Sequence, residues 1–323
     1  MRSISELQQI INKAIANSQY PTTPKELYEP INYIMDLGGK RMRPVLLLMA
    51  FDLFSDDIDK AINPALAIEV FHNFTLMHDD FMDNAPLRRN MPTVHNKWSN
   101  SAAILSGDVM LIEAYKLIMQ VEQSILPEVL TIFNDTAVGV CEGQQIDMNF
   151  EKIEHVKISE YINMIRLKTA VLLGGALKIG ALISNSSLES ADHLYDFGVN
   201  VGIAFQLQDD ILDVYGDPEK FGKQVGGDII SNKKTFMLIK AKELATGEIE
   251  ESLTNWLNIT DNSQQKVIEV TKIYDYLNVK QLAEIEMATY AESALRCIEK
   301  LDVANFKKDT LKSFAESLLV REH

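Results

Sequence analysis

Residues 72–83 read His-Asn-Phe-Thr-Leu-Met-His-Asp-Asp-Phe-Met-Asp, and residues 203–213 read Ile-Ala-Phe-Gln-Leu-Gln-Asp-Asp-Ile-Leu-Asp. Both stretches are largely apolar and end in the same pattern, Asp-Asp-x-x-Asp. On a helix, the first and last aspartates of this pattern project from one face, about one turn apart. Carboxylates at the end of a buried segment need cations, and oxygen ligands favour Mg²⁺ that shares its shell with water and a phosphate-bearing substrate.

The rest of the chain has the apolar spacing of helices, as at Leu172, Leu173, Ala176 and Leu177, and lacks sustained period-two alternation. The sequence therefore predicts an all-α fold. Breaks rich in Pro, Gly and Asn predict about ten helices. Because no linker rich in Gly, Ser or Pro divides the chain, we expect a single domain over residues 1–323.

Composition limits the partners. The formal net charge of -15 argues against a nucleic-acid partner. The two cysteines, Cys141 and Cys297, lie far apart in the sequence, which favours a reducing cytoplasm over a disulfide framework or a zinc site. No stretch approaches the roughly 18 consecutive apolar residues of a membrane-spanning helix, so we expect no transmembrane segment.

Four basic clusters stand out against this acidic background. They are Lys40-Arg41-Met42-Arg43 after Gly38-Gly39, Arg88-Arg89, Lys168 before Thr169, and Lys223 with Lys233-Lys234. A basic turn beside a helix N-terminus forms a good anion site. Acidic metal ligands together with spread basic groups suit diphosphate substrates. The motifs of P-loop, nucleophile-elbow and dinucleotide-binding enzymes are absent from the sequence.

In this order, the motifs resemble those of the trans-polyprenyl diphosphate synthase family over nearly the full chain. The matching stretches are Gly-Gly-Lys-Arg-Met-Arg-Pro at 38–44, His-Asp-Asp-Phe-Met-Asp-Asn-Ala-Pro-Leu-Arg-Arg at 78–89, Pro-Thr-Val-His at 92–95, Gly-Gln-Gln-Ile-Asp-Met at 143–148, Lys-Thr-Ala at 168–170, Phe-Gln-Leu-Gln-Asp-Asp-Ile-Leu-Asp-Val-Tyr-Gly-Asp at 205–217, Gly-Lys at 222–223, Gly-Gly-Asp-Ile at 226–229 and Asn-Lys at 232–233.

The resemblance implies a helical bundle of the isoprenoid synthase type with a central active-site cavity. It implies a Mg²⁺-dependent prenyltransferase that condenses isopentenyl diphosphate head to tail with an allylic diphosphate. The product would be a short-chain all-trans prenyl diphosphate, geranylgeranyl or farnesyl diphosphate, for isoprenoid biosynthesis. Family members are usually homodimers, and the apolar stretch at 101–119 is the candidate dimer helix.

The resemblance also implies roles for individual residues. About three Mg²⁺ ions would be held by Asp79, Asp83 and Asp209, with Asp213 binding through water. The allylic diphosphate would contact Arg88, Lys168 and Lys223, with Lys233 helping to close the site. Isopentenyl diphosphate would contact Lys40, Arg43, His72 and Arg89. The developing allylic cation would face oxygen atoms of Thr169 and Gln206. Asp80 and Asp210 would orient the metal shell, and Asp147 would lie near the metals.

Product length is predicted from the helix that ends in the first acidic motif. Phe74 and Phe71 precede Asp79 by five and eight residues, which places them at depths of about 7 and 12 Å. They are therefore the predicted floor for the growing tail, with Met110 or Met119 as the alternative. By the resemblance to the family, one aromatic before the small Thr75, without an insertion in the motif, implies geranylgeranyl rather than farnesyl diphosphate as product.

Three other functions remain alternatives. A class I terpene cyclase would share the fold and the metal-driven ionisation but would not need a cationic site for a second diphosphate. A non-catalytic regulatory subunit would be expected to have lost metal ligands, and none is lost in this sequence. A helical metal-dependent phosphohydrolase built on His78 and Asp79 would need further ligands at long spacing, which do not appear.

Overall fold

The structure is a computed structural model that describes residues 1–217, 225–260 and 263–319. In the first part of the chain the helices are α1 Ile4–Asn17, α2 Lys25–Asp36, α3 Met42–Phe54, α4 Asp59–Met82, α5 Val94–Lys97, α6 Asn100–Ile118 and α7 Leu126–Phe150. In the second part they are α8 Ile158–Ile165, α9 Val171–Ile183, α10 Leu188–Tyr215, α11 Gly227–Ile230, α12 Phe236–Leu244, α13 Glu248–Leu257, α14 Ser263–Tyr276, α15 Val279–Glu299 and α16 Asn305–Leu319. A π-helical segment, Arg166–Ala170, joins α8 to α9.

The predicted all-α class is confirmed. Within the described residues the only strands are β1 Leu87–Arg88 and β2 Met91–Pro92, which form an antiparallel hairpin. The prediction of about ten helices is too low, because several helices end where no Pro or Gly marks a break, as α7 does before residues 151–157. Two of the additional helices, α5 and α11, are single turns of four residues each.

The contacts within the chain group into two compact units. Unit 1 comprises residues 1–136, 172–195 and 301–310, and unit 2 comprises the described residues of 137–171, 196–300 and 311–323. No helix of the described residues is long and apolar enough to cross a membrane.

Unit 1 is built around α3, in which every residue from Pro44 to Leu53 is buried. Gly180 of α9 lies directly against this helix, since a Cβ atom at that position would be 2.2 Å from the carbonyl oxygen of Leu47. A glycine is therefore required where α9 crosses α3. The other long helix of this unit, α4, packs against α3 and α6 and ends in the first acidic motif.

Unit 2 has its own apolar core. It is formed by side chains of α8, α10, α12, α14 and α15, among them Tyr161, Leu207, Phe236, Tyr274 and Ala283. The second acidic motif lies near the C-terminal end of α10, whose apolar residues Ile203, Leu207 and Ile211 belong to this core. The core therefore fixes the helix face from which the aspartates project.

Candidate active site

In unit 1, the first acidic motif occupies the last turn of α4. Asp79 is partly buried, Asp83 is exposed at the C-cap, and Asp80 is only 3 % exposed. The middle aspartate therefore differs from the outer two in its access to solvent.

Asp80 is held by Arg88, which lies on strand β1 shortly after the motif. The Arg88 Nε donates hydrogen bonds to both carboxylate oxygens of Asp80, at 2.9 and 2.8 Å, and Nη2 donates to Oδ1 at 2.6 Å. The same Nη2 lies 3.8 Å from Oδ2 of Asp79. Burial raises the pKa of Asp80, and the hydrogen bonds from Arg88 oppose that shift. Arg88, predicted as a diphosphate ligand, thus also fixes the motif itself.

The residues predicted to bind isopentenyl diphosphate also lie in unit 1. Nη1 of Arg43 donates to Nε2 of His72 at 3.1 Å, and Nη1 of Arg89 donates to the carbonyl oxygen of Gly38. Gly39, at φ +122°, lets the Arg89 guanidinium approach closely, because a Cβ atom there would lie 2.6 Å from its Nη2. Lys40 is exposed in the same turn.

His72 is electrically neutral in this setting. Its pKa is lowered well below the usual value, first by burial and then by the positive charges of Arg43, Arg89, Arg88 and Arg41. The pKa of Arg43 is lowered to about 10, mainly by burial. A guanidinium has only donors, so His72 accepts at Nε2 and carries its proton on Nδ1. At neutral pH, the cations of this cluster are therefore arginines and Lys40.

Arg41 has a role that the sequence analysis missed. It sits in the left-handed region at φ 50° before α3, and its buried guanidinium donates to Oε1 of Glu69 at 2.5 Å and to the carbonyl oxygen of Met35 at 2.6 Å. Asn73 donates to the same Oε1 at 2.9 Å. A buried, hydrogen-bonded ion pair therefore holds the basic turn on α4. Sequence spacing gives no sign of it, since Arg41 looks equivalent to its basic neighbours.

The predicted chain-length floor is a row of aromatic rings in unit 1. The ring of Phe74 lies 4.8 Å from that of His78 and 5.6 Å from that of Phe71, and the ring of Phe71 lies 5.3 Å from that of Phe133. Phe74 is 9 % exposed and Phe71 is 1 % exposed. Phe74 is thus the more exposed of the two rings, and their role as the floor stays a prediction. Of the alternatives, Met110 is buried and Met119 is exposed.

In unit 2, the second acidic motif shows the same division as the first. Asp209 and Asp213 are partly exposed, whereas Asp210 is buried. Tyr161 Oη donates to Oδ2 of Asp210, and the backbone N–H of Phe236 donates to the same oxygen at 3.1 Å. Burial raises the pKa of Asp210 to about 7. As with Asp80, the middle carboxylate is fixed by donors of the protein.

Asp213 is bound to the segment that follows the motif. The backbone N–H of Asp228 donates to its Oδ2 at 3.0 Å, and that of Gly226 donates to its carbonyl oxygen at 2.6 Å. Lys233 is exposed at the end of the same segment, and its backbone N–H donates to the carbonyl oxygen of Asp228 at 2.9 Å. Lys223, which was predicted to contact the allylic diphosphate, lies outside the described residues.

Lys168 and Thr169 lie in the π-helical segment, the kind of local widening that is frequent at functional sites. Lys168 Nζ donates to Oδ2 of Asp147 at 2.6 Å, and Thr169 Oγ1 donates to Oε1 of Gln206 at 3.4 Å. The structure thus brings together predicted residues that are 21 and 37 positions apart in the sequence.

Two glycines let neighbouring helices lie directly on this segment. A Cβ atom on Gly143 of α7 would be 2.2 Å from the backbone nitrogen of Lys168, and one on Gly202 of α10 would be 2.6 Å from Cα of Ala170. Only glycine fits at such distances. The two helices therefore fix the backbone that carries Lys168 and Thr169.

The donor set of both acidic motifs fits a hard cation. Each motif offers carboxylate oxygens on a partly exposed helix face, and oxygen ligands are those of Mg²⁺ in proteins. Among the described residues, no three His, Cys, Asp or Glu side chains form a group that could hold a metal ion. Mg²⁺ usually keeps several waters and takes one or two carboxylates plus substrate phosphates. A bound ion would complete its shell with waters and with oxygens of a phosphate-bearing substrate.

Comparison with known proteins gives consistent matches. A family model described as polyprenyl synthetase matches residues 24–277. The chain is 34 % identical to a short chain isoprenyl diphosphate synthase of Methanothermobacter thermautotrophicus, covering 100 % of this chain and 99 % of that protein. It is 36 % identical to a geranylgeranyl diphosphate synthase of Methanosarcina mazei, covering 94 % and 92 %.

Solved structures agree. A crystal structure of a geranylgeranyl pyrophosphate synthase matches with a TM-score of 0.95 and 40 % identity, covering 100 % of both chains. The geranylgeranyl pyrophosphate synthetase of Pyrococcus horikoshii Ot3 matches with a TM-score of 0.91 and 32 % identity, covering 98 % of this chain and 97 % of that one. The described helices therefore have the fold of these synthases, which confirms the isoprenoid synthase type predicted from the motifs.

Proposed function

Because the chain belongs to the polyprenyl synthetase family and is a short-chain trans-prenyltransferase, we propose that it condenses isopentenyl diphosphate with an allylic diphosphate, using Mg²⁺. The observation that carries the proposal is the same division in both acidic motifs. In each, the middle aspartate is buried and bound by protein donors, while the outer two keep access to solvent. Carboxylate oxygens that keep access to solvent suit a Mg²⁺ ion that also binds waters and a diphosphate.

The reaction begins when the allylic carbon–oxygen bond breaks and the diphosphate leaves with the electron pair. Asp79, Asp83, Asp209 and Asp213 would hold Mg²⁺, as the family resemblance implies. The bound ions would supply positive charge that stabilises the negative charge developing on the leaving group. Arg88, Lys168, Lys223 and Lys233 would add positive charge to the same diphosphate. Whether about three ions bind, as the family resemblance implies, stays a prediction.

The second substrate then reacts with the allylic cation. The isopentenyl double bond attacks the cationic carbon, a carbon–carbon bond forms, and a proton is lost from the isopentenyl part, with the departing diphosphate as the acceptor. Lys40, Arg43 and Arg89 would bind the isopentenyl diphosphate. His72, neutral and accepting from Arg43 at Nε2, would donate a hydrogen bond there from Nδ1 without adding charge. Thr169 and Gln206 would direct oxygen atoms towards the allylic cation.

Geranylgeranyl diphosphate is the proposed product. Similar proteins carry that name, and the aromatic row beginning at Phe74 is consistent with a short tail. The terpene cyclase is not favoured, since the cluster of Arg43, Arg89 and Lys40 supports a second diphosphate substrate. The regulatory subunit is not favoured, since both acidic motifs keep all their aspartates. A homodimer and a cytoplasmic location, both predicted from the sequence, are part of the same proposal.

An assay of purified protein with labelled isopentenyl diphosphate and farnesyl diphosphate tests the proposal. We expect geranylgeranyl diphosphate with Mg²⁺ and no product with excess chelator. Asp79→Ala and Asp209→Ala are expected to lower turnover by about two orders of magnitude or more while the protein stays folded. Asp302→Ala, which removes an exposed carboxylate outside both motifs, is the control. Full activity in chelator or in both motif variants would refute the proposal.

A further inference from the structure

A buried lysine lies where the segment after the second acidic motif packs on later helices of unit 2. Lys266, in the first turns of α14, is only 2 % exposed. Its Nζ donates hydrogen bonds to the carbonyl oxygens of Ile230 at 3.2 Å, Leu257 at 3.3 Å and Ile259 at 3.4 Å. The three donors of an ammonium group thus meet three acceptors.

These carbonyls belong to helix ends. Ile230 is the last residue of α11, Leu257 is the last residue of α13, and Ile259 follows shortly after it. The last carbonyls of a helix have no partner within the helix and carry the negative end of its dipole, so a cation stabilises them. Burial lowers the pKa of Lys266, and these carbonyls offset the cost of burying its charged form. Asn232 Nδ2 donates to the same Leu257 oxygen at 2.9 Å.

The segment held by Lys266 is bound on its other side to the second acidic motif. As described above, the Asp228 N–H donates to the Asp213 carboxylate, and the Lys233 N–H donates to the Asp228 carbonyl oxygen. Residues 226–233 therefore bridge two anchors. One anchor is the Asp213 carboxylate, and the other is the Lys266 amine with the C-terminal end of α13.

We propose that Lys266 is a positioning residue for Mg²⁺ and diphosphate binding. By fixing residues 226–233 against the end of α13, it orients the Asp213 carboxylate and the turn that carries Lys233. Lys266 acts through the backbone of this segment and is not itself a ligand of the substrate. The inference rests on the proposed function, because it uses the proposed roles of Asp213 and Lys233.

The test compares two variants at Lys266 with a matched control on the same helix. Lys266→Met keeps the length of the stem and removes the donors, and Lys266→Arg restores a cation. Lys272→Met makes the same chemical change at a side chain that is 64 % exposed and bound to Glu269 at 2.8 Å. Each variant is assayed well below its melting temperature for the Mg²⁺ concentration at half-maximal activity and for the KM of each substrate.

We expect Lys266→Met to raise the half-saturating Mg²⁺ concentration about tenfold or more, as loss of an outer-shell partner typically does. The KM for the allylic diphosphate should rise with it, while the KM for isopentenyl diphosphate stays unchanged. Lys266→Arg should recover most of the loss, and Lys272→Met should behave as wild type. A variant Lys266→Met that melts at lower temperature but keeps its Mg²⁺ dependence and both KM values would overturn the proposal.

A second measurement does not depend on activity. Amide hydrogen exchange of residues 226–233 is followed with and without Mg²⁺ and inorganic diphosphate in wild type and in Lys266→Met, or in the shorter, uncharged Lys266→Gln if Lys266→Met does not fold. We expect the two ligands to slow exchange in wild type and to slow it less in the variant. Equal protection in both would overturn the positioning role. Failure of the proposed function gives a different result, since wild type itself would then form no prenyl product.

Discussion

Arg88 donates hydrogen bonds to Asp80 from both Nε and Nη2, so the middle carboxylate of the first acidic motif is bound within the protein. Its counterpart in the second motif, Asp210, accepts hydrogen bonds from Tyr161 and from the backbone N–H of Phe236. Two motifs in different units thus use different donors for the same purpose. These hydrogen bonds fix the helix turns from which the outer aspartates project.

This relationship predicts that Asp80→Asn and Asp79→Asn affect different properties. Asp80→Asn keeps the shape of the side chain but loses a charge-assisted hydrogen bond in a buried place, so we expect the free energy of unfolding to fall by about 1–3 kcal/mol. Its Mg²⁺ requirement should rise less than that of Asp79→Asn, because Asp80 orients the ligands and does not bind the ion itself. Asp79→Asn should instead raise the Mg²⁺ requirement and lower turnover. Urea unfolding and Mg²⁺ titrations of activity measure both properties. The reverse pattern would make Asp80 the metal ligand.

Alanine substitutions at Gly143 and Gly139, which lie one turn apart on α7, are predicted to have different effects on stability and activity. A Cβ atom on Gly143 would lie 2.2 Å from the Lys168 nitrogen, whereas one on Gly139 would make ordinary contacts at 3.4 and 3.5 Å. Gly143→Ala should therefore displace the π-helical segment, cost about 1–3 kcal/mol of stability and lower activity. Gly139→Ala should be neutral or stabilising by up to about 1 kcal/mol, since alanine favours helix. Thermal melts and turnover numbers measure these effects. Similar losses of stability and activity in both variants would contradict the prediction.

The sequence was sufficient for the fold class and for the motifs, because helical periodicity and acidic pentads are local patterns. Through the resemblance to a family, the sequence was also sufficient to assign Arg43 and His72 to the same predicted binding site. The hydrogen bonds that position these groups were not predictable. Tyr161 and Asp210 are 49 residues apart, and nothing local indicates that one fixes the other.

Arg41 and Lys266 show why such hydrogen-bond partners cannot be predicted from the sequence. Arg41 lies between two basic residues with proposed substrate roles, and only its left-handed backbone turns it inward to Glu69. Lys266 lies on a helix that also carries the exposed Lys272, and tertiary packing alone makes one of them buried. The π-helical turn likewise makes contacts that are distant in the sequence, with α7 at Gly143 and with α10 at Gly202.

The neutral His72 predicts an acid sensitivity. Because its folded pKa is depressed, the unfolded state binds more protons than the folded state between the two pKa values. Stability is therefore lost as the pH falls below the unfolded value of about 6.5, with a slope of at most about 1.4 kcal/mol per pH unit from this residue. His72→Asn should reduce that slope. Urea unfolding at several pH values between neutral and weakly acidic measures it, with the exposed His155→Asn as a control that should not alter the slope.

The exposed face of α6 predicts the oligomeric state. Ile104, Leu105 and Ile112 lie on one side of this helix and are exposed. If this face forms the proposed dimer, Leu105→Glu should yield monomers in sedimentation experiments. Ile285→Glu on α15 is the matched control, because Leu105 and Ile285 are both 57 % exposed. A wild-type monomer, or a Leu105→Glu variant that stays dimeric, would contradict the prediction.

Phe74 predicts the length of the product. Its ring contacts that of Phe71, which in turn packs on Phe133. Because Phe74 is closer to Asp79 along α4, a tail that descends from the motif would meet Phe74 first. Phe74→Ala should open a cavity and shift the main product to a longer prenyl diphosphate. Phe71→Ala should shift the product less while Phe74 remains, yet cost more stability, about 3–5 kcal/mol, because Phe71 is fully buried.

Product analysis with isopentenyl and farnesyl diphosphates measures the shift in product length, and Phe306→Ala, at an exposed ring, is the control. Unchanged products in both variants would mean that the floor is built elsewhere, with buried Met110 as the next residue to truncate.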